Sequence, residues 1–150
     1  MTVHSQGKVI QLYVTNKDTT KGRQTTKKVH LDEKGIIDDK FYNKNLQRSI
    51  LIASIDSYTI AKENGIEIED GSLGENILID INPYHLKSGD TLIIGKNELK
   101  ITQNCTICQG LSSVDSKLPK LLKNDRGIFA RYVKGNSEIK IGDSVLITKS

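Results

Sequence analysis

Short apolar runs separated by polar turns recur along the whole chain, and their spacing suits strands far better than helices. Residues 8–15 predict a first strand, with Val9, Ile10, Leu12, Tyr13 and Val14 as its β-forming side chains. A polar loop over 16–24 leads to a second strand over 25–31, closed by the turn Asp32-Glu33-Lys34-Gly35. The polar stretch over 36–45 is too long for a hairpin turn, and long loops in compact domains tend to carry function. Arg48-Ser49 then leads into a short buried strand at 50–53. One helix is predicted from Ser54 or Asp56, either of which can cap it, to Asn64, with Gly65 in the C-terminal cap position.

The second half continues the pattern. Residues 77–81, 97–103, 127–134 and 144–148 predict further strands. Two Gly-Asp turns, Gly89-Asp90 and Gly142-Asp143, each launch an apolar β-run, an echo too short to be a structural repeat. Residues 113–124 read as a short helix or loop interrupted by Pro119. Seven or more short strands with so little helix predict a mainly β barrel with one or two short helices. No linker-like stretch divides residues 1–150, so a single domain is expected.

The pattern is organised around Gly71-Ser72-Leu73-Gly74-Glu75-Asn76-Ile77, where two glycines bracket a turn and an apolar run begins abruptly. Gly74 is expected to turn a corner, through positive φ or close backbone approach, presenting Glu75 and Asn76. Their carboxylate, carbonyl and amide groups would suffice to orient a polar ligand, or the asparagine simply caps the turn.

Composition narrows the class. At 150 residues, 36% apolar and 27% charged, the chain fits a soluble globular domain rather than a disordered one. No apolar run reaches bilayer-spanning length, and residues 1–7 lack a charged-then-apolar signal pattern. Two cysteines make no disulfide framework, so a reducing, cytoplasmic setting is expected. The net charge of +4 is mild, and part of it is clustered in Lys17, Lys21, Arg23, Lys27 and Lys28, which would steer an anion or merely face solvent. No tryptophan and 5% aromatics leave little for base stacking, which disfavours nucleic acid.

Cys105-Thr106-Ile107-Cys108 closes the strand over 97–103. Zinc is a poor fit, because only His4, His30 and His85 could join and none has metal-type spacing. The remaining readings are a redox dithiol, two small buried residues, or one thiolate that holds a metal or carries sulfur.

These motifs, in order, resemble the MOSC domain, found at the C-terminus of molybdenum cofactor sulfurases and as stand-alone bacterial proteins. Gly35-Ile36-Ile37-Asp38-Asp39 resembles the family's Gly-x-x-Gly-Asp, and Arg48-Ser49-Ile50-Leu51 its arginine-led entry to a strand. Gly74-Glu75-Asn76-Ile77, Ser88-Gly89-Asp90-Thr91-Leu92, Gly127-Ile128-Phe129-Ala130-Arg131 and Ile139-Lys140-Ile141-Gly142-Asp143 complete the match over about 7–148. Cys108 matches the family's reactive cysteine by position, with Cys105 as the extra one. Ile107 stands where the family has proline, Ile37 where it has glycine, and a histidine often seen near that aspartate is replaced by Lys40, Phe41 and Tyr42.

The resemblance implies a MOSC-like β-barrel that binds the molybdenum cofactor (molybdopterin) or a related anionic pterin. Cys108 would be the metal ligand or persulfide carrier, and Asp39, Lys40, Arg48, Ser49, Gly74, Glu75, Asn76 and Arg131 would bind the cofactor. It leaves two roles open, a cofactor-dependent reductase or a module in sulfur transfer, served by an electron-donor or sulfur-donor protein. The alternative from another class is a non-catalytic barrel that binds an anionic small molecule or a protein partner.

Overall fold

Residues Lys28–Asp32 alternate exposed and buried positions, the two-residue period of a strand with one face turned inward. The computed structural model describes residues 2–15, 24–69, 71–105, 116–123 and 125–149. Cys108 and the basic residues Lys17, Lys21 and Arg23 lie outside the described residues.

Seven strands close into a barrel. The first, β1 (Thr2–Val14), pairs with β11 (Ser144–Lys149) through its early residues and with β6 (Ile77–Ile79) through its later ones. The ring runs on from β11 through β7 (Thr91–Ile94), β8 (Asn97–Asn104), β9 (Ile128–Lys134) and β5 (Ile50–Ser54) back to β6. Bulges in β1 and β8 interrupt the ladders, and such irregularities give strands the bend that closure requires. The strand expected over 25–31 breaks at Lys27. Its first part is β2 (Gln24–Thr26), which pairs with β1, and its second is β3 (Lys28–Asp32). With β4 (Gly35–Ile36) and β10 (Glu138–Lys140), β3 forms a separate three-stranded sheet.

The β5–β6 pair is parallel, joining Ile52 to Ile77 and Ser54 to Ile79. Parallel neighbours need a long crossover, and α1 (Ile55–Glu63) lies within it. Ser54 caps this helix by accepting from the Asp56 N–H at 3.1 Å. The second helix, α2 (Leu118–Leu121), carries Pro119 in its first turn, where a missing N–H costs no helical bond. No helix among the described residues is long and apolar enough to cross a membrane.

All five residues of β5 are buried, because both faces of the strand are covered. Ile50 and Ile52 join Leu12, Ile77, Leu99 and Ile128 in the barrel interior. Ala53 turns outward to the cluster of Tyr13, Ala61, Leu73, Leu78, Leu118 and Leu122 beneath the helices. Leu51, also outward, meets Cys105 and Phe129 in a third, smaller cluster. That last group forms the floor of a concavity.

Candidate functional site

Above Leu51, Cys105 and Phe129 opens a cavity of about 480 Å³. Lys40, Arg48 and Arg126 stand in its walls, with Ser49, Gly74 and Asn76 on one side and Phe41 and Asn45 also lining it. Among the described residues no carboxylate lines it. Three cations around an apolar floor suit an anion with a planar or apolar body.

Each wall residue is held by local chemistry. Asp39 is 1% exposed, and its carboxylate accepts from the Thr15 N–H at 2.9 Å and the Phe41 N–H at 3.2 Å. The Lys40 N–H donates to the Thr15 carbonyl at 2.7 Å, so the 39–41 turn is tied to the end of β1. This fixes the backbone from which the Lys40 side chain reaches the cavity, where its ammonium lies 5.0 Å from the Phe41 ring centre. Asn45 caps a short 3₁₀ turn over Leu46–Arg48 by accepting from the Gln47 N–H at 3.0 Å, which sets the direction of Arg48. The Ser49 hydroxyl donates to backbone, toward the Leu46 carbonyl at 3.2 Å and the Ala130 carbonyl at 3.4 Å.

Asn76 is a strut as well as a wall. Its side-chain carbonyl accepts from the Leu51 N–H at 3.0 Å, and its amide donates to the Tyr13 carbonyl at 3.4 Å. Gly74 has φ +82°, a left-handed value that side-chain-bearing residues rarely adopt, so the corner expected there exists. Glu75 turns the other way. It is fully buried and accepts a hydrogen bond from the Tyr58 hydroxyl at 2.5 Å, while Tyr58 accepts from the Gly71 N–H at 3.0 Å. Burial first, and the Glu75 carboxylate second, push the Tyr58 phenol well above its ordinary pKa.

The structure therefore gathers Lys40, Arg48, Ser49, Gly74 and Asn76, five of the residues singled out from sequence, around one cavity. Asp39 supports that cavity from behind through the 39–41 turn, and Glu75 braces α1 against the 71–76 loop. Arg131 is exposed and paired in register with Lys100, outside the cavity lining. On β9 it shares the outward face with Phe129 but stands two residues further along, roughly 7 Å away.

Arg126 was not expected from sequence. It lies one residue before Gly127, where an added Cβ would come within 2.9 Å of Leu51 Cδ1 and 3.2 Å of the Ile52 carbonyl, so β9 starts hard against β5. The Gly127 carbonyl accepts from the Cys105 N–H at 3.0 Å, bringing Arg126 and Cys105 to the same end of the barrel. One Arg126 Nη donates to the Leu73 carbonyl at 3.3 Å. The Nε atoms of both Arg48 and Arg126 are buried and lack a hydrogen-bond partner among the described residues. Orphaned buried donors are costly, and both belong to residues that line the cavity. The only sequence cue to Arg126 was its place directly before the quoted Gly127 motif.

Cys105 is 5% exposed in the cavity floor. Among the described residues no three or more His, Cys, Asp or Glu side chains come together as a metal cluster.

A family model described as the MOSC domain matches residues 26–146. No curated protein matches the sequence. The fold is similar to that of the YuaD protein from Bacillus subtilis, with TM-score 0.81 and 19% identity over 97% of this chain and 98% of that one. It is also similar to YiiM from Geobacillus stearothermophilus, with TM-score 0.69 and 15% identity over 95% of this chain and 75% of that one. YiiM from Escherichia coli gives TM-score 0.70 and 16% identity over 98% and 71%.

Proposed function

The chain belongs to the MOSC domain family, which is associated with molybdenum-cofactor-related proteins, and on that premise we propose that its cavity binds the molybdenum cofactor or a related anionic pterin. The observation that carries this reading is that Arg48 and Arg126 line one concavity in which, among the described residues, no carboxylate balances them. Together with Lys40 they would hold a phosphate or comparable anionic group, arginine by paired donors and lysine as a point charge. Phe41, Leu51 and Phe129 offer apolar surface to a ring system. Ser49 and Asn76 stand beside them, with much of their hydrogen-bonding capacity already spent on the barrel.

When bound, the cofactor would supply a redox-active molybdenum centre bearing sulfur. For the protein's part, Cys108 is the proposed soft ligand or persulfide-bearing thiol, assigned from the family motif, and Cys105 in the floor is its competitor. An electron-donor or sulfur-donor protein would serve the site, according to whether the module reduces a substrate or passes sulfur on. The test is to purify the protein from a host that makes the cofactor, then measure molybdenum by mass spectrometry and pterin by fluorescence after oxidative release. Stoichiometric amounts of both are expected, and their absence from fully folded protein would count against the reading.

A further inference from the structure

We propose that the hydroxyl pair of Ser57 and Tyr84 fixes the orientation of Arg126, which makes both of them positioning residues for the cavity. As a statement about ligand binding, this rests on the reading that the cavity holds an anion. Neither residue lines the cavity. Ser57 is fully buried in the first turn of α1, and Tyr84 is 8% exposed in the loop between β6 and β7. Their oxygens lie 2.6 Å apart.

The donor count assigns the network. The Ser57 hydroxyl donates to the Asp125 carbonyl, which commits its single proton and leaves its lone pairs free. Tyr84 can then donate to Ser57, with the Arg126 carbonyl at 3.4 Å as the longer branch. As acceptor, the Tyr84 oxygen takes the Ser54 N–H at 2.7 Å. Two buried hydroxyls thus tie the start of α1 to two successive carbonyls, those of Asp125 and Arg126. Directly after them comes Gly127, clamped against β5 without room for a side chain. The Arg126 backbone is held on both sides, and its guanidinium leaves that anchor to meet the Leu73 carbonyl at the cavity wall. A hydrogen bond to a carbonyl does not require such an elaborate fixture, but aiming a long, flexible cation does.

The experiment uses ¹⁵N-labelled full-length protein, with the Arg126 side-chain Nε–H resonance assigned through its loss in Arg126→Lys. In the wild type this resonance should show the heteronuclear NOE of a rigid group. Tyr84→Phe and Ser57→Ala should lower that NOE while the backbone spectrum stays native. Ile147→Val, which trims the barrel interior on β11, should leave it unchanged and so controls for general destabilisation. Should one hydroxyl variant fail to fold, the other carries the test. In a titration with inorganic phosphate, Tyr84→Phe should weaken binding about tenfold in the wild-type background and not at all in Arg126→Ala. An unchanged NOE in both hydroxyl variants, or equal weakening in both backgrounds, would overturn the proposal. If phosphate binds none of the variants, the anion reading fails while the NOE still decides whether Arg126 is positioned by the pair.

Discussion

The guanidinium carbon of Arg48 lies 4.9 Å from the centre of the Phe129 ring, so a cation from the 3₁₀ turn rests on an aromatic side chain from β9 at the cavity floor. Phe129→Leu keeps an apolar floor but removes the ring face. A cation–π contact of this kind is worth about 0.5–2 kcal/mol, depending on desolvation. We expect urea denaturation to show a loss of about 1 kcal/mol and ligand affinity to fall several-fold as Arg48 loosens. Unchanged affinity would mean that Arg48 is held by other contacts.

Asn76→Ala should harm the fold before it harms binding. It strips the Leu51 N–H of its acceptor and the Tyr13 carbonyl of a donor, both buried. An orphaned buried N–H alone costs about 1–3 kcal/mol, so the midpoint of chemical unfolding should drop markedly. A variant as stable as the wild type would show that Asn76 serves the ligand rather than the barrel.

Alkaline pH should destabilise the protein through two tyrosines. Tyr58 and Tyr84 both have pKa values raised above 10.0, burial being the largest cause for each. For Tyr84 the Ser54 N–H, which donates to the phenol oxygen, partly offsets that rise. Above pH 10 the unfolded chain releases these protons while the folded chain keeps them, so stability is full below that pH and falls as pH rises. The slope per tyrosine approaches about 1.4 kcal/mol per pH unit. Unfolding free energies measured from pH 8 to 11 should fall less steeply in Tyr58→Phe than in the wild type. Parallel curves would contradict the assignment.

Much of this was legible in the sequence, for reasons that are local. Gly74 reads as a corner because an apolar run starts abruptly after paired glycines, and its φ of +82° agrees. The strands over 50–53 and 127–134 follow from their β-forming apolar side chains, and of the two cap candidates, Ser54 and Asp56, the structure uses Ser54. What stayed hidden depends on distant partners. Alternation names strands but not their neighbours, so neither the parallel β5–β6 pairing nor the break at Lys27 between two sheets could be read. Nothing local marked Arg126, since the hydroxyls of Ser57 and Tyr84 that bind the Asp125 and Arg126 carbonyls lie far upstream. Arg131 and Glu75 matched family motifs, yet one stands two residues beyond Phe129 along β9, outside the cavity lining, and a tyrosine draws the other toward α1.

The two cysteines should separate chemically. Iodoacetamide labelling across pH, with sites located by mass spectrometry, is expected to modify Cys108 in preference to Cys105, which is 5% exposed. Cys105→Ser should retain molybdenum or persulfide sulfur, and Cys108→Ser should lose it. Loss in both, or a reversible Cys105–Cys108 disulfide, would favour a redox dithiol.

The most direct measurement is pterin bound per protein chain after purification from a cofactor-producing host, compared across cation variants. Arg48→Ala and Arg126→Ala remove the two guanidinium groups that line the cavity and should each lose most of the bound pterin, because a desolvated, charge-assisted contact is worth about 1.5–3 kcal/mol. Arg131→Ala and Lys28→Ala alter exposed side chains, Lys28 lying 4.0 Å from Glu138, and should keep wild-type occupancy. Equal losses in all four variants would reduce the site to diffuse positive charge, and full occupancy in Arg48→Ala and Arg126→Ala would contradict the cavity as the binding site.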